Sequence, residues 1–90
     1  MLLSLKRYNN MNSFPVRTAK QLGPILQGYR KSHSMSQDEV GRRVGLMQKQ
    51  VSKLETDPSN ASLSNVFKVL AALNLELVVQ ERKPAPQSEW

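Results

Sequence analysis

Apolar and polar positions follow a helical period over most of this chain. Leu22, Ile25, Leu26 and Tyr29 recur at i, i+3, i+4 and i+7, one stripe of an amphipathic helix. Just before them, Thr18-Ala-Lys-Gln21 has capping-box spacing, in which Thr18 and Gln21 satisfy each other's orphan N–H groups. Gly23-Pro24 interrupts the stripe. Proline removes a backbone donor and its ring meets the preceding turn, so a kink or a later helix start is expected there. Ser36-Gln-Asp-Glu39 is a second, cleaner capping box. The helix it opens, residues 36–44, turns Val40 and Val44 inward and stops at Gly45, which takes the left-handed conformation readily. A third helix is expected over 47–55, with Met47, Val51 and Leu54 on one face and Gln48, Lys49, Ser52 and Lys53 on another.

Thr56 to Ala61, containing Asp57-Pro58-Ser59-Asn60, reads as a loop. Ser62 caps a fourth helix with Leu63, Val66, Phe67, Leu70 and Leu73 inward. After Asn74 the pattern becomes short and β-branched, and Leu75-Glu-Leu-Val-Val-Gln80 predicts one strand. A lone strand cannot satisfy its own edges. It is therefore expected to pair with a second copy of the chain through Leu75, Leu77, Val78 and Val79. The expected organisation is a flexible extension over 1–17, one folded domain over 18–75, a dimerisation strand over 75–81, and a mobile polar tail over 82–90 interrupted by Pro84 and Pro86. Met11 is a second candidate start residue.

Ninety residues make one small domain. With 39% hydrophobic and 22% charged residues and a mean hydropathy of −0.49, the chain can bury a compact core but not a large one. No apolar run approaches the roughly 20 residues of a membrane span. Met1-Leu-Leu-Ser-Leu5 is too short for a signal-peptide core, and Lys6-Arg7 follows it instead of preceding it. With no cysteine, disulfides are excluded and a cytoplasmic location is expected. One histidine and no cysteine also exclude a cysteine–histidine zinc site and a cysteine nucleophile.

Charge is divided along the chain. Residues 1–53 carry ten basic and two acidic side chains, a net of +8, whereas residues 54–90 carry three and five, a net of −2. Such asymmetry points to a polyanion on one side of the molecule, nucleic acid ahead of anionic membrane; a merely solvated basic surface gives the same count. The third helix separates these readings. Two helices joined by a tight glycine turn, the second polar on its outer face, form a helix-turn-helix, in which the first braces the second for the major groove. Gln48, Lys49, Gln50, Ser52 and Lys53 are residue types that read base edges or grip phosphates. Gln37, Arg42 and Arg43 are expected on or near phosphates, Ser36 is a further expected DNA contact, and Gly41 is small enough to let the helices approach.

Ser36-Gln-Asp-Glu-Val-Gly-Arg-Arg-Val-Gly45-Leu, followed by Val51-Ser-Lys-Leu-Glu55, resembles the Xre/Cro-type helix-turn-helix family over roughly residues 18–75. The resemblance implies an all-α, phage-repressor-like bundle, with the short C-terminal strand added across a homodimer. Gly41 departs from the family's usual alanine, and Met47 from its usual small polar or basic residue; Met47 is then a core residue or a contact to a thymine methyl. Phe67-Lys-Val-Leu-Ala-Ala-Leu-Asn-Leu-Glu-Leu77, the lone strand, and a tail ending Ser88-Glu-Trp90 are similar to HipB-type antitoxins. That likeness implies a homodimeric, operator-binding antitoxin that represses its own operon through a palindromic operator. Its implied partner is a HipA-type serine/threonine kinase toxin, contacted by Trp90.

Other signals carry less. Gly23-Pro-Ile-Leu-Gln-Gly28 has phosphate-loop glycine spacing, but Tyr29-Arg30 stands where lysine and serine or threonine are required. His33 lies in a turn with no nucleophile and orienting group to complete a catalytic set, and Asp38-Glu39 complement the dipole of a helix start. No enzyme, metal or cofactor is therefore expected. A stand-alone repressor without a toxin, or a protein-binding adaptor, fits the same fold. The polar, basic face over 48–53 speaks against an adaptor.

Overall fold

The computed structural model describes residues 13–82. The expected basic arm at Lys6 and Arg7, the alternative start Met11, and the tail with Pro84, Pro86 and Trp90 lie outside the described residues. Within them the chain forms four α-helices: α1 Ala19–Ser32, α2 Gln37–Val44, α3 Gln48–Thr56 and α4 Leu63–Ala72, with a 3-10 turn at Pro58–Asn60. Helix α2 packs on α3 and α4, while α1 packs on α3 and the 3-10 turn. Leu26, Val40, Leu46, Val51, Leu54, Val66, Val69, Leu70, Ala72 and Leu73 form one core.

Helix α1 runs unbroken through Pro24 instead of starting late. Pro24 is exposed, and the carbonyl its missing N–H leaves unpaired belongs to exposed Lys20, where water can satisfy it. Only half of the first capping box forms. Gln21 Oε1 accepts from the N–H groups of Thr18 at 3.1 Å and Arg17 at 2.6 Å, whereas the Thr18 hydroxyl accepts no cap hydrogen bond. Gly23 has a structural role instead of a phosphate-binding one: a Cβ there would run into the backbone carbonyl of Glu55. The absent side chain lets α1 lie directly on the end of α3.

Three helices end in the same way. Ser34 (φ 56), Gly45 (φ 75) and Asn74 (φ 59) are left-handed. The next residue, Met35, Leu46 or Leu75, donates its N–H five residues back, to the carbonyl of Arg30, Gly41 or Leu70. Each of those three apolar side chains then folds onto or into the core. This Schellman arrangement satisfies carbonyls that a helix end leaves open. Of the three, Gly45 and Asn74 are residue types that favour this conformation, and Ser34 is not.

Helix α4 buries a stripe rotated from the expected one. Val66, Val69, Leu70 and Leu73 face the core, while Leu63 is 68% and Phe67 46% exposed. Ser64, Asn65 and Lys68 mark one polar face, but the apolar arc opposite them is wide, and Leu63 and Phe67 lie at its edge, where α2 does not cover them. In the single chain residues 75–80 are irregular, and no strand occurs among the described residues; the expected strand is one that pairs with a second copy. A single chain offers this segment no second edge, and Leu77, Val78 and Val79 stand exposed.

Candidate nucleic-acid interface

Helix α2 is held at its start by the reciprocal box that its spacing predicts. The Ser36 hydroxyl accepts from Glu39 N–H at 3.0 Å, and Glu39 Oε1 accepts from Ser36 N–H at 2.9 Å. Hydrogen bonds from the Ser36 backbone and then its side chain, with Arg43 and Arg42 nearby, hold the Glu39 carboxyl below its ordinary value. At the other end of α2, Gly45 turns the chain and Leu46 plugs the core. A Cβ on Gly41 would collide with the Leu46 carbonyl, so this position admits glycine and closes the turn tightly.

Helix α3 begins at Gln48, one residue later than expected, with Met47 as its N-cap. Met47 is 63% exposed and is not in the core. Its N–H donates to Gln50 Oε1 at 2.8 Å, so the Gln50 amide is partly spent on capping α3. Val51 and Leu54 bury against α1 and α2, which leaves Gln48, Lys49 and Lys53 exposed and Ser52 half-buried on the outer side. Among the described residues neither lysine has a carboxylate within ion-pair distance. Beside them, Lys53 and Gln50 share a shallow groove with Asn60 of the 3-10 turn and with Ser62 and Asn65 at the start of α4.

Behind this face runs a chain of polar side chains. Arg30 Nε and Nη2 donate to Glu55 Oε2 and Oε1 at 2.6 and 3.1 Å, and Arg30 Nη1 donates to the Met35 carbonyl at 2.8 Å. The two side chains are only 8% and 2% exposed. The hydrogen bond to Glu55 raises the Arg30 guanidinium further above its ordinary value, against the opposing effect of burial. Gln37 Nε2 donates to Glu55 Oε1 at 3.0 Å, and Gln48 Nε2 donates to Gln37 Oε1. Gln37 is thus half-buried between the two helices, joined to Gln48 instead of standing free at a phosphate.

The two arginines of α2 divide. Arg42 meets Asp38 at 3.2 Å in a pair that is 72% and 59% exposed, and so remains open to an outside anion. Arg43 instead donates from Nη1 to the Ala72 carbonyl at 3.2 Å, capping the end of α4. Arg43, expected near a phosphate, is exposed and in this chain makes a structural contact through one of its N–H groups. Arg30 and Glu55 escaped the sequence reading, although a signal was there. Arg30 stands four residues after buried Leu26, and Glu55 four after buried Val51, so opposite charges occupy two core registers.

A two-helix unit with a tight glycine turn, a braced second helix and a cationic outer face is a helix-turn-helix. The chain matches the family model described as Helix-turn-helix over residues 26–80, and it belongs to that family of DNA-binding transcription regulators. Within it the chain is similar to the HipB antitoxins. It is 28% identical over 78 residues to Antitoxin HipB of Escherichia coli O6:H1, covering 87% of this chain and 83% of that protein. To Antitoxin HipB of Escherichia coli K12 it is 30% identical over 69 residues, covering 76% and 78%. Its fold is similar to that of a chain in a HipA–HipB–O2–O3 complex, with a TM-score of 0.76 at 25% identity, over 79% of this chain and 100% of that one. A HipB–O4 20mer complex matches equally well, with a TM-score of 0.76 over the same shares.

Proposed function

We propose that this chain is the antitoxin of a toxin–antitoxin pair. It acts as a homodimer that binds a palindromic operator of its own operon, and it binds and neutralises a HipA-type serine/threonine kinase. One observation carries this reading: the likeness spans the whole of a chain in a HipA–HipB–O2–O3 complex. The site chemistry agrees with it. Gln48 offers an amide to adenine, Ser52 a hydroxyl and Met47 a methyl to thymine, while Lys49, Lys53 and Arg42 meet phosphates. The Ser36 hydroxyl and the free N–H groups of Gln50 lie at helix starts, where phosphate is favoured.

The dimer follows from unpartnered apolar surface. Leu63, Phe67, Leu77, Val78 and Val79 are exposed on α4 and the segment after it. A second copy, with Leu75–Gln80 paired across a two-fold axis, covers them and supplies the missing strand edge. Trp90, outside the described residues, is the proposed aromatic anchor for the kinase. The test is co-expression. The cognate kinase alone arrests growth, this chain restores it, and Trp90→Ala weakens the complex by calorimetry while leaving operator affinity intact. Growth arrest that persists in the presence of the wild-type chain contradicts the antitoxin reading.

A further inference from the structure

The polar chain behind α3 has a direction. An ionised carboxylate has only acceptors, so the Glu55 oxygens, gripped by Arg30, can take only hydrogens. Gln37 must therefore turn its NH2 toward Glu55, at 3.0 Å. That choice points the Gln37 carbonyl the other way, where it too can only accept. Gln48 must in turn present its NH2 to it, at 2.5 Å. One N–H and the whole carbonyl oxygen of exposed Gln48 are left for an outside partner, and each has a fixed position. An unrestrained glutamine could exchange the two by rotating its amide; this one cannot without leaving two oxygens face to face.

We infer that Glu55 is a specificity-determining positioning residue, which through Gln37 fixes the donor and acceptor ends of the Gln48 amide and thereby its choice of base. The inference rests on the DNA-binding reading of α3. An outward acceptor beside an outward donor complements the N6 amino group and N7 of adenine. Guanine shows two acceptors there, O6 and N7, and a held carbonyl oxygen repels one of them. Freed from the relay, Gln48 can turn both hydrogens toward guanine.

The test uses two variants, because removing Glu55 alone strands the Arg30 charge in the interior. Arg30→Met with Glu55→Leu replaces the pair by apolar side chains of similar volume, a change that folded proteins tolerate. Gln37→Leu cuts the relay while keeping the ion pair. Folding is checked by thermal melting, and affinity is measured by fluorescence anisotropy on duplexes carrying adenine or guanine at the base pair whose preference Gln48→Ala abolishes. In both folded variants the adenine-over-guanine ratio should fall by about fivefold to tenfold, with the salt dependence unchanged. A purely structural role does not move that ratio. Ratios within twofold of wild type in either folded variant overturn the relay while leaving the DNA reading standing. A wild-type chain with no base preference at all overturns both.

Discussion

Arg30 and Glu55, 25 positions apart, meet in the interior with Nε and Oε2 at 2.6 Å, and this pair ties α1 to the end of α3. Such a pair adds little net stability over well-packed apolar residues, because both ions give up water. Breaking one side is different, since it strands a buried charge. Arg30→Ala should therefore lower stability by about 3–5 kcal/mol in urea unfolding, with Arg30→Met and Glu55→Leu together recovering most of the loss. A single variant that melts with the wild type contradicts the buried pair.

The outer face of α3 divides into contacts that read and contacts that hold. Gln48→Ala should relax preference at one base pair, costing about 1–3 kcal/mol on the best site and little elsewhere. Lys49→Ala should weaken all duplexes alike and shallow the salt dependence by about one unit. Anisotropy titrations across ionic strength distinguish the two, and the reverse assignment would exchange their roles.

Arg43 gives the opposite expectation from its neighbour Arg42. Since its guanidinium holds the Ala72 carbonyl, Arg43→Ala should cost about 1 kcal/mol of stability and leave the salt slope of DNA binding as it is. Arg42→Ala should shallow that slope and barely change the melting temperature.

Legibility followed local chemistry. Ser36 with Glu39, and Gly45 after α2, carry their signals in residue type and spacing, and the helix-turn-helix they bound appears as the pattern predicts. Ser34 adopts the same left-handed turn as Gly45 with no residue type to announce it, while Asn74 carries the weaker signal of asparagine. Leu63 and Phe67 lie at the edge of the wide apolar arc of α4, where burial depends on how far the neighbouring α2 reaches and not on period alone. The role of Arg43 required knowing that the end of α4 lies against α2, which no local pattern encodes.

Acid should loosen α2 through Glu39. Its folded-state carboxyl titrates below the usual value of about 4.5, so its cap contributes fully above that pH and is lost as pH falls through the lowered value. Glu39→Gln keeps an oxygen for the Ser36 N–H but does not titrate. The melting-temperature advantage of wild type over Glu39→Gln should persist near neutrality and shrink below pH 4.5; an advantage that grows on acidification contradicts the cap.

Selection of bound sites from a random duplex pool tests the central claim most directly. A dimer that presents two α3 helices should enrich a two-fold symmetric site, with half-sites about 34 Å or one DNA turn apart and each holding a preferred adenine that Gln48→Ala no longer selects. A pool that stays random, or an enriched site indifferent to Gln48, Lys49 and Lys53 together, would contradict α3 as the reading helix.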